Sequence, residues 1–227
     1  MNTMIKIARY HLTQPVMFPG LPWATLAFAF AVNVARGGDN FRDGVVVIFT
    51  MFFIAGVQRI GRWLPFSLAL GATRRSFYAG TALLGVSMSL VSGLVIAGLQ
   101  AIERATGGWG LSITFFRVPY LLNGPWYATW LTSFVGLSAL FVYGMWYGAV
   151  YRRWGAPGVL AFIAFQVLVT LAVALPEPGR VWSFLYSWSY VGEHLASLSA
   201  LDLTGVAAAL AVVFLVGGHA TIRRAAV

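Results

Sequence analysis

The sequence predicts an all-α integral membrane protein, with one domain over residues 1–227 and six membrane-spanning helices. Its 227 residues are 59% hydrophobic and only 9% charged, whereas a soluble domain is about a quarter charged and needs that charge to cover its surface. The apolar residues also fall into stretches close to the roughly 20 residues that cross a hydrocarbon core. Lipid is therefore the expected solvent for most of the chain.

The chain opens with an amphipathic segment, residues 1–14. Its apolar side chains recur at the i, i+4, i+8 spacing of a helix face, cations lie between them, and Pro15 follows. A basic amphipathic helix of this kind lies in the headgroup plane. It is either an elbow helix that braces a partner protein or a simple topogenic anchor, and its candidate residues are Ile5, Lys6, Ala8, Arg9 and Leu12.

Six apolar stretches are predicted to form the transmembrane helices. The second and the sixth are short for a full crossing and are expected to extend into their flanks. The predicted spans are residues 17–35, 44–58, 77–99, 126–150, 156–175 and 203–218.

Charge predicts the orientation, because segments rich in Lys and Arg stay in the cytoplasm. With both termini inside, the outer loops hold all six acids: Asp39, Asp43, Glu103, Glu177, Glu193 and Asp202. The inner segments then hold cations and no acid: Lys6, Arg9, Arg59, Arg62, Arg74, Arg75, Arg152, Arg153, Arg223 and Arg224. The net charge of +9 is therefore a topology signal, and no nucleic-acid partner is expected.

Small and polar residues inside the spans predict where helices approach one another. Gly144 and Gly148 form a G-x-x-x-G pair in the fourth span, and Ser89 and Gly93 a similar pair in the third. The predicted spans contain no charged residue, which counts against a proton- or ion-driven carrier. Gln166, in the fifth span, either contacts a polar substrate or makes an interhelical hydrogen bond.

The inner loop between the second and third spans carries the most specific pattern. Pro65 suits the first turn of a short helix and Gly71 its C-terminal end, and Thr73 suits the N-cap of the third span. The chain is thus expected to leave the membrane, form about two helical turns and re-enter. The apolar side chains Phe66, Leu68 and Leu70 beside arginines predict either a docked partner protein or a loop that binds anionic lipid at the membrane face.

The block from Leu68 to Tyr78 resembles the coupling-helix region of ABC type-2 permeases, the membrane subunits of ATP-binding-cassette exporters. Their inner loop often combines a Gly, small residues, a basic residue or pair, and an aromatic residue that opens the third span. The resemblance implies an elbow helix, six spans, cytoplasmic termini and separate ATPase subunits. The coupling residues that it implies are Arg62, Trp63, Phe66, Leu68, Leu70, Gly71, Thr73, Arg74, Arg75 and Phe77. The outer loops here are smaller than in many members of that family.

An aromatic-rich outer segment lies before the sixth span, over residues 181–190. On a helix, Trp182, Tyr186 and Tyr190 share one face, so a short interfacial or re-entrant helix is predicted. It is either an aromatic belt at the headgroups or part of a lid or exit route for an amphipathic substrate. In the family named above, a pair of re-entrant outer helices lies at this position.

The sequence indicates a transporter subunit without its own ATPase. A phosphate loop needs a lysine directly after a glycine. The single lysine of the chain, Lys6, follows Ile5, so no phosphate loop is present. ATP and Mg²⁺ would be bound by a partner. We expect an exporter of a drug, peptide or lipid, paired with a second permease subunit that is either a copy or a related chain. The alternatives are the substrate-binding membrane subunit of a vitamin or metal importer, and a non-transport assembly or regulatory protein.

With no cysteine and three scattered histidines, neither a metal site nor a catalytic site is expected. The excess of arginine over lysine fits a GC-rich bacterial genome, so the expected location is a bacterial cytoplasmic membrane.

Overall fold

Helix is the regular structure throughout the part of the chain that the computed structural model describes, residues 20–36, 45–116, 125–174 and 199–223. We number its helices α1 Leu21–Ala35, α2 Val46–Gln58, α3 Leu64–Ala69, α4 Arg74–Ala105, α5 Trp126–Ala174 and α6 Ala200–Arg223. Four helical runs in these ranges are long and apolar enough to cross a membrane: Val46–Ala69, Arg74–Ala105, Trp126–Val169 and Ala200–Arg223. The prediction of an all-helical membrane protein is confirmed at this level, whereas six crossings and their orientation stay predictions.

The fourth and fifth predicted spans both lie in α5, which reverses direction at Gly155. This residue has φ 67° and ψ −159°, a combination that is accessible essentially only to glycine. Contacts across the break pair Tyr143 with Gln166 and Tyr147 with Phe162. In both pairs the two residues lie at about equal distances in sequence on either side of Gly155. The segments before and after Gly155 therefore run antiparallel. The helix is therefore a tight hairpin of residues 126–154 and 156–174, and Pro157 lies in the first turn of its second arm.

The short helix predicted between the second and third spans is present, but it does not follow a loop. A π-helical turn, Arg59–Trp63, joins α2 directly to α3, so the backbone stays helical from Val46 to Ala69. The expectation of a loop before the short helix is thus wrong, whereas the point at which the chain leaves the membrane stays a prediction. The short helix is the end of the second helical run.

Close glycine contacts place the first arm of α5 at the centre of the bundle. A Cβ at Gly144 would meet the backbone oxygen of Phe53, and one at Gly148 would lie 2.8 Å from the oxygen of Val57. A Cβ at Gly56, on α2, would in turn meet the oxygen of Phe141. The backbones of α2 and α5 therefore touch, and the predicted G-x-x-x-G pair packs within this chain.

The small-residue pair of α4 packs against the same arm of α5. A Cβ at Gly93 would lie 2.9 Å from the backbone nitrogen of Phe134. Ser89 is fully buried and donates to the oxygen of Gly85 at 2.8 Å. A Cβ at Gly85 would meet the ring of Phe141. Gly93 and Gly85 are therefore the close-approach positions of α4, whereas the hydrogen bond of Ser89 stays within its own helix.

The last helix is held near its C-terminal end by two aromatic side chains. A Cβ at Gly217 would lie 2.9 Å from the ring of Trp146, and one at Gly218 would meet the phenol oxygen of Tyr78. Tyr78 donates to the backbone oxygen of Leu215 at 3.1 Å. The adjacent glycines thus let α4 and α5 both reach the backbone of α6.

Candidate functional site

Two exposed apolar side chains, Phe66 and Leu70, form what we call the apolar tip at the end of α3. They are 46% and 69% exposed, and the tip lies where the chain turns from α3 into α4. Leu68 was expected beside them but packs half-buried against the core. The exposed apolar surface predicted here is therefore carried by two side chains rather than three.

Local sequence rules explain how the turn presents the tip. Pro65 lies in the first turn of α3, where its missing N–H costs no hydrogen bond. Gly71 has φ 85°, its N–H donates to Leu68 O at 2.9 Å, and the N–H of Ala72 donates to Ser67 O at 3.0 Å. These two bonds form a Schellman motif, which ends the helix directly after Leu70.

Thr73 caps the next helix as predicted. Its side-chain oxygen accepts from the backbone N–H of Ser76 at 3.1 Å, and its φ and ψ of −81° and 150° are extended. Four residues later, Phe77 is fully buried in the core. A cap at Thr73 and an anchor at Phe77 fix the start of α4 relative to the tip, so Phe77 supports the turn and offers no surface to a partner.

A buried arginine underlies the tip. Arg59 is only 6% exposed, and its guanidinium lies 5.7 Å from the ring centroid of Trp63. The ring of Trp63 in turn meets that of Phe66 edge-on, with centroids 6.3 Å apart. The sequence placed Arg59 among the inner cations but gave no sign of its burial, because the π-helical turn that draws it inward depends on packing against α5.

The arginines near the tip divide into two groups. Arg62 is exposed on the π-helical turn. Arg74 instead donates from Nη1 to the backbone oxygen of Arg223 at 3.3 Å, and Arg75 lines a groove between α4 and α6. Of the three arginines expected beside the apolar side chains, one therefore lies near the tip and two are directed toward the end of α6.

An apolar groove of about 410 Å³ lies between α2, α5 and α6, and we call it the α2–α5–α6 groove. Its polar feature is a buried hydrogen bond between the hydroxyls of Thr132 and Thr204, at 2.9 Å. Apart from these threonines its lining is hydrocarbon and glycine: Val45, Val46, Phe49, Gly136, Ala139, Leu140, Leu203, Ala207, Leu210 and Phe214. Such a groove accepts an apolar molecule but no ion.

Gln166 lies between the two arms of the α5 hairpin. Its Oε1 accepts from the hydroxyl of Tyr143 at 2.5 Å and from that of Tyr147 at 2.9 Å. The interhelical hydrogen bond is thus the role that the geometry shows, and contact with a substrate stays a prediction. The two tyrosines could not be paired with Gln166 from the sequence before the turn at Gly155 was known.

Glu103 is the second charged side chain, after Arg59, that is buried in the described part of the chain. The sequence assigned it to an outer loop, but it lies in the last turns of α4 and is 1% exposed. Its Oε2 accepts from the backbone N–H groups of Phe115 and Phe116, at 3.1 and 2.9 Å, and from Nε1 of Trp109, at 3.2 Å. Glu103 and Arg59 together weaken the inference that the chain buries no charge, although both lie outside the predicted spans.

The remaining predicted site residues lie outside the described ranges. They are the elbow-helix residues Ile5, Lys6, Ala8, Arg9 and Leu12, and the aromatic residues Trp182, Tyr186 and Tyr190. Among the residues that the structure does describe, no group of three His, Asp or Glu side chains could hold a metal ion.

Comparison with known proteins assigns the chain to no family. No family model, no curated protein and no solved structure matches the chain.

Proposed function

We propose that this chain is the membrane-spanning permease subunit of an ATP-driven exporter of an apolar or amphipathic compound, and that separate subunits hydrolyse ATP. The observation that carries the proposal is the apolar tip. Phe66 and Leu70 are large, exposed and held by a Schellman motif and a capped helix. Grouped exposed apolar side chains mark a contact for another protein or for the membrane, and we take the contact at this turn to be the ATPase.

The sequence supports a separate ATPase. Phosphate binding by a P-loop needs a lysine that directly follows a glycine, and Lys6 follows Ile5. ATP binding would close two partner ATPase subunits and move the tip of each permease subunit. A second permease subunit, identical or related, would complete the path across the bilayer. We place the complex in a bacterial cytoplasmic membrane with the tip in the cytoplasm.

The α2–α5–α6 groove supports the substrate class. It offers hydrocarbon walls and one satisfied hydroxyl pair, so a charged solute would lose its hydration there without compensation. The groove lies on the side of the bundle between helices, as expected for a path completed by another subunit or by lipid. A single-subunit importer would instead use a deep pocket open to the outer face.

The first test is co-purification of the tagged chain with a phosphate-loop ATPase encoded by a neighbouring gene. Replacing Phe66 and Leu70 together with Ser should weaken this complex about 100-fold, because burying the exposed part of each side chain is worth about 1–2 kcal/mol. The control is the pair Ile102→Ser and Leu111→Ser, whose side chains are comparably exposed, at 47% and 57%. Ile102 lies in the last turn of α4 and Leu111 just after it.

The outcomes separate the proposal from its alternatives. The control variant should keep the ATPase at wild-type stoichiometry, and the chain purified alone should hydrolyse no ATP. If the tip variant also keeps the ATPase and supports transport, the tip is not the coupling contact. ATP hydrolysis by the isolated chain would contradict the division of labour between subunits.

A further inference from the structure

A second groove, separate from the tip, lies between α4 and α6 and is here called the α4–α6 groove. Its volume is about 640 Å³, and it runs from the first turn of α4 alongside the last turns of α6. Its lining is Arg75, Tyr78, Ala79, Ala82, Leu83, Val86, Leu215, Val216, His219, Ala220 and Arg223.

The groove is cationic at one end. Arg75 and Arg223 are both exposed at its mouth, and His219 lies beside them with its ring 5.6 Å from that of Tyr78. Arg75 is also in the first turn of α4, where the helix dipole adds positive potential, and that turn contains no acid.

The described carboxylates lie at the opposite ends of the same helices. Glu103 is in the last turns of α4, and Asp202 is in the first turn of α6. No acidic side chain in the described ranges is therefore placed to neutralise Arg75 and Arg223. A ligand that carries negative charge would complement this end of the groove.

The rest of the groove is hydrocarbon. Leu83 and Val216 are 58% and 63% exposed, and Tyr78 already uses its hydroxyl to donate to Leu215. From Arg75 to Val86 the α4 wall rises roughly 16 Å at 1.5 Å per residue. That length is close to half of the roughly 30 Å hydrocarbon core, which is the depth of one leaflet.

We propose that the α4–α6 groove binds one anionic phospholipid, with its phosphate between Arg75 and Arg223 and an acyl chain along Leu83 and Val216. Cationic pockets between transmembrane helices are suited to such headgroups. A second copy of this chain is disfavoured here, because a two-fold contact would bring Arg75 and Arg223 of both copies together. The lipid site requires that α4 and α6 lie in a bilayer, and it does not depend on whether an ATPase binds the tip.

The test measures lipid retention by native mass spectrometry of the detergent-purified protein after titration with dioleoyl phosphatidylglycerol or dioleoyl phosphatidylcholine. One high-affinity phosphatidylglycerol should bind per chain. Arg75→Gln with Arg223→Gln should weaken it roughly 30-fold, from about 1 kcal/mol per cation near anionic lipid. Arg104→Gln with Arg153→Gln removes the same charge away from the groove and should change the affinity less than twofold.

A third variant tests the acyl-chain half of the groove without changing charge. Ala220 is exposed and lines the groove, so Ala220→Trp should fill the space and reduce phosphatidylglycerol retention at least tenfold while the melting temperature is unchanged. Equal retention of both lipids, or loss of phosphatidylglycerol in the control charge variant as well, would overturn the proposal. The tip variant Phe66→Ser with Leu70→Ser should keep its lipid, so this result and that of the coupling test are distinguishable.

Discussion

Single residues decide how closely the central helices approach. The positions of Gly56, Gly144 and Gly148 let the backbones of α2 and α5 touch. In a bilayer, where lipid tails are as apolar as the side chains, such contact gains its stability from packing rather than from exclusion of water. A larger side chain at any of these glycines would therefore push α2 and α5 apart.

We predict that Gly144→Ala destabilises the bundle by roughly 1–3 kcal/mol, because the new Cβ would overlap the backbone oxygen of Phe53. The measurement is thermal unfolding in detergent. Gly205→Ala is the matched control, since a Cβ there meets nothing within 4 Å. It should leave the melting temperature equal or slightly higher, as alanine favours helix over glycine. An equal fall in melting temperature in both variants would show that overlap at the α2–α5 contact does not cause the destabilisation.

Glu103 ties the turn after α4 to the bundle, and its removal should loosen that turn. Glu103→Ala leaves three donors, on Trp109, Phe115 and Phe116, without their acceptor, at a cost of roughly 1–3 kcal/mol for each that stays buried. Hydrogen exchange should speed up at the amides of Phe115 and Phe116. Glu103→Gln keeps an acceptor oxygen and should show a smaller effect; unchanged exchange in the Ala variant would refute the assignment.

Residue roles that follow from neighbours in sequence were predictable. Pro65, Gly71 and Thr73 act within four residues of themselves, and each does what its local rule predicts. The roles of Arg59 and Glu103 were not predictable in this way. Glu103 meets Phe115 and Phe116 only because the chain turns back through Gly107 and Gly108, both at positive φ, and the sequence carries no periodic signal for that turn.

At the level of elements, the α5 hairpin depends on one small polar cluster. Tyr143 and Tyr147 on the first arm share Oε1 of Gln166 on the second, and aromatic contacts of Phe162 with Trp146 and Tyr147 surround it. Much of the second arm is otherwise exposed apolar surface, including Leu160 and Leu168. Its position against the bundle therefore rests on few contacts.

We predict that Gln166→Leu weakens the hairpin by removing the acceptor of two phenol groups. A double-mutant cycle with Tyr143→Phe should give a coupling free energy of roughly 0.5–1.5 kcal/mol, the range for interhelical hydrogen bonds in membranes. Unfolding of each variant by denaturing detergent supplies the four free energies. A cycle between Gln166→Leu and Ser87→Ala, on another helix, should give no coupling. Additive effects of Gln166 and Tyr143 would disprove the link.

The second predicted span shows how packing can override local signals. It was predicted to reach about Gln58 and to extend into its flank, without a bound for that extension. Ile60 is fully buried and packs against Gly148, and the backbone continues to Ala69 through a π-helical turn. Such turns occur frequently at functional sites. The tertiary contact that keeps the run helical is invisible in the sequence.

The whole molecule has a charge polarity that predicts its orientation. Of the described charges at the ends of α4 and α6, arginines lie at one end of the pair and Glu103 and Asp202 at the other, with Arg104 beside the acids. The positive-inside rule therefore predicts that the arginine end faces the cytoplasm.

Two cysteines at opposite ends of α4 test this orientation in a chain that has no cysteine of its own. We expect Arg104→Cys to react with an impermeant thiol reagent added to intact cells, and Arg75→Cys to react only after the membrane is opened. Both positions are exposed, so accessibility within the protein is matched. Labelling of position 75 from outside would invert the topology and remove the ATPase proposal with it.

The unbroken helical run from Val46 to Ala69 gives the tip a mechanical reach that a flexible linker would lack. At 1.5 Å per residue its 24 residues extend roughly 35 Å, so one helical run reaches from the tip to Val45, at the edge of the α2–α5–α6 groove. The backbone contact with α5 at Gly56 lies part-way along this run. We expect a tilt of the run about this contact to move its two ends in opposite directions, and so to change the width of the groove.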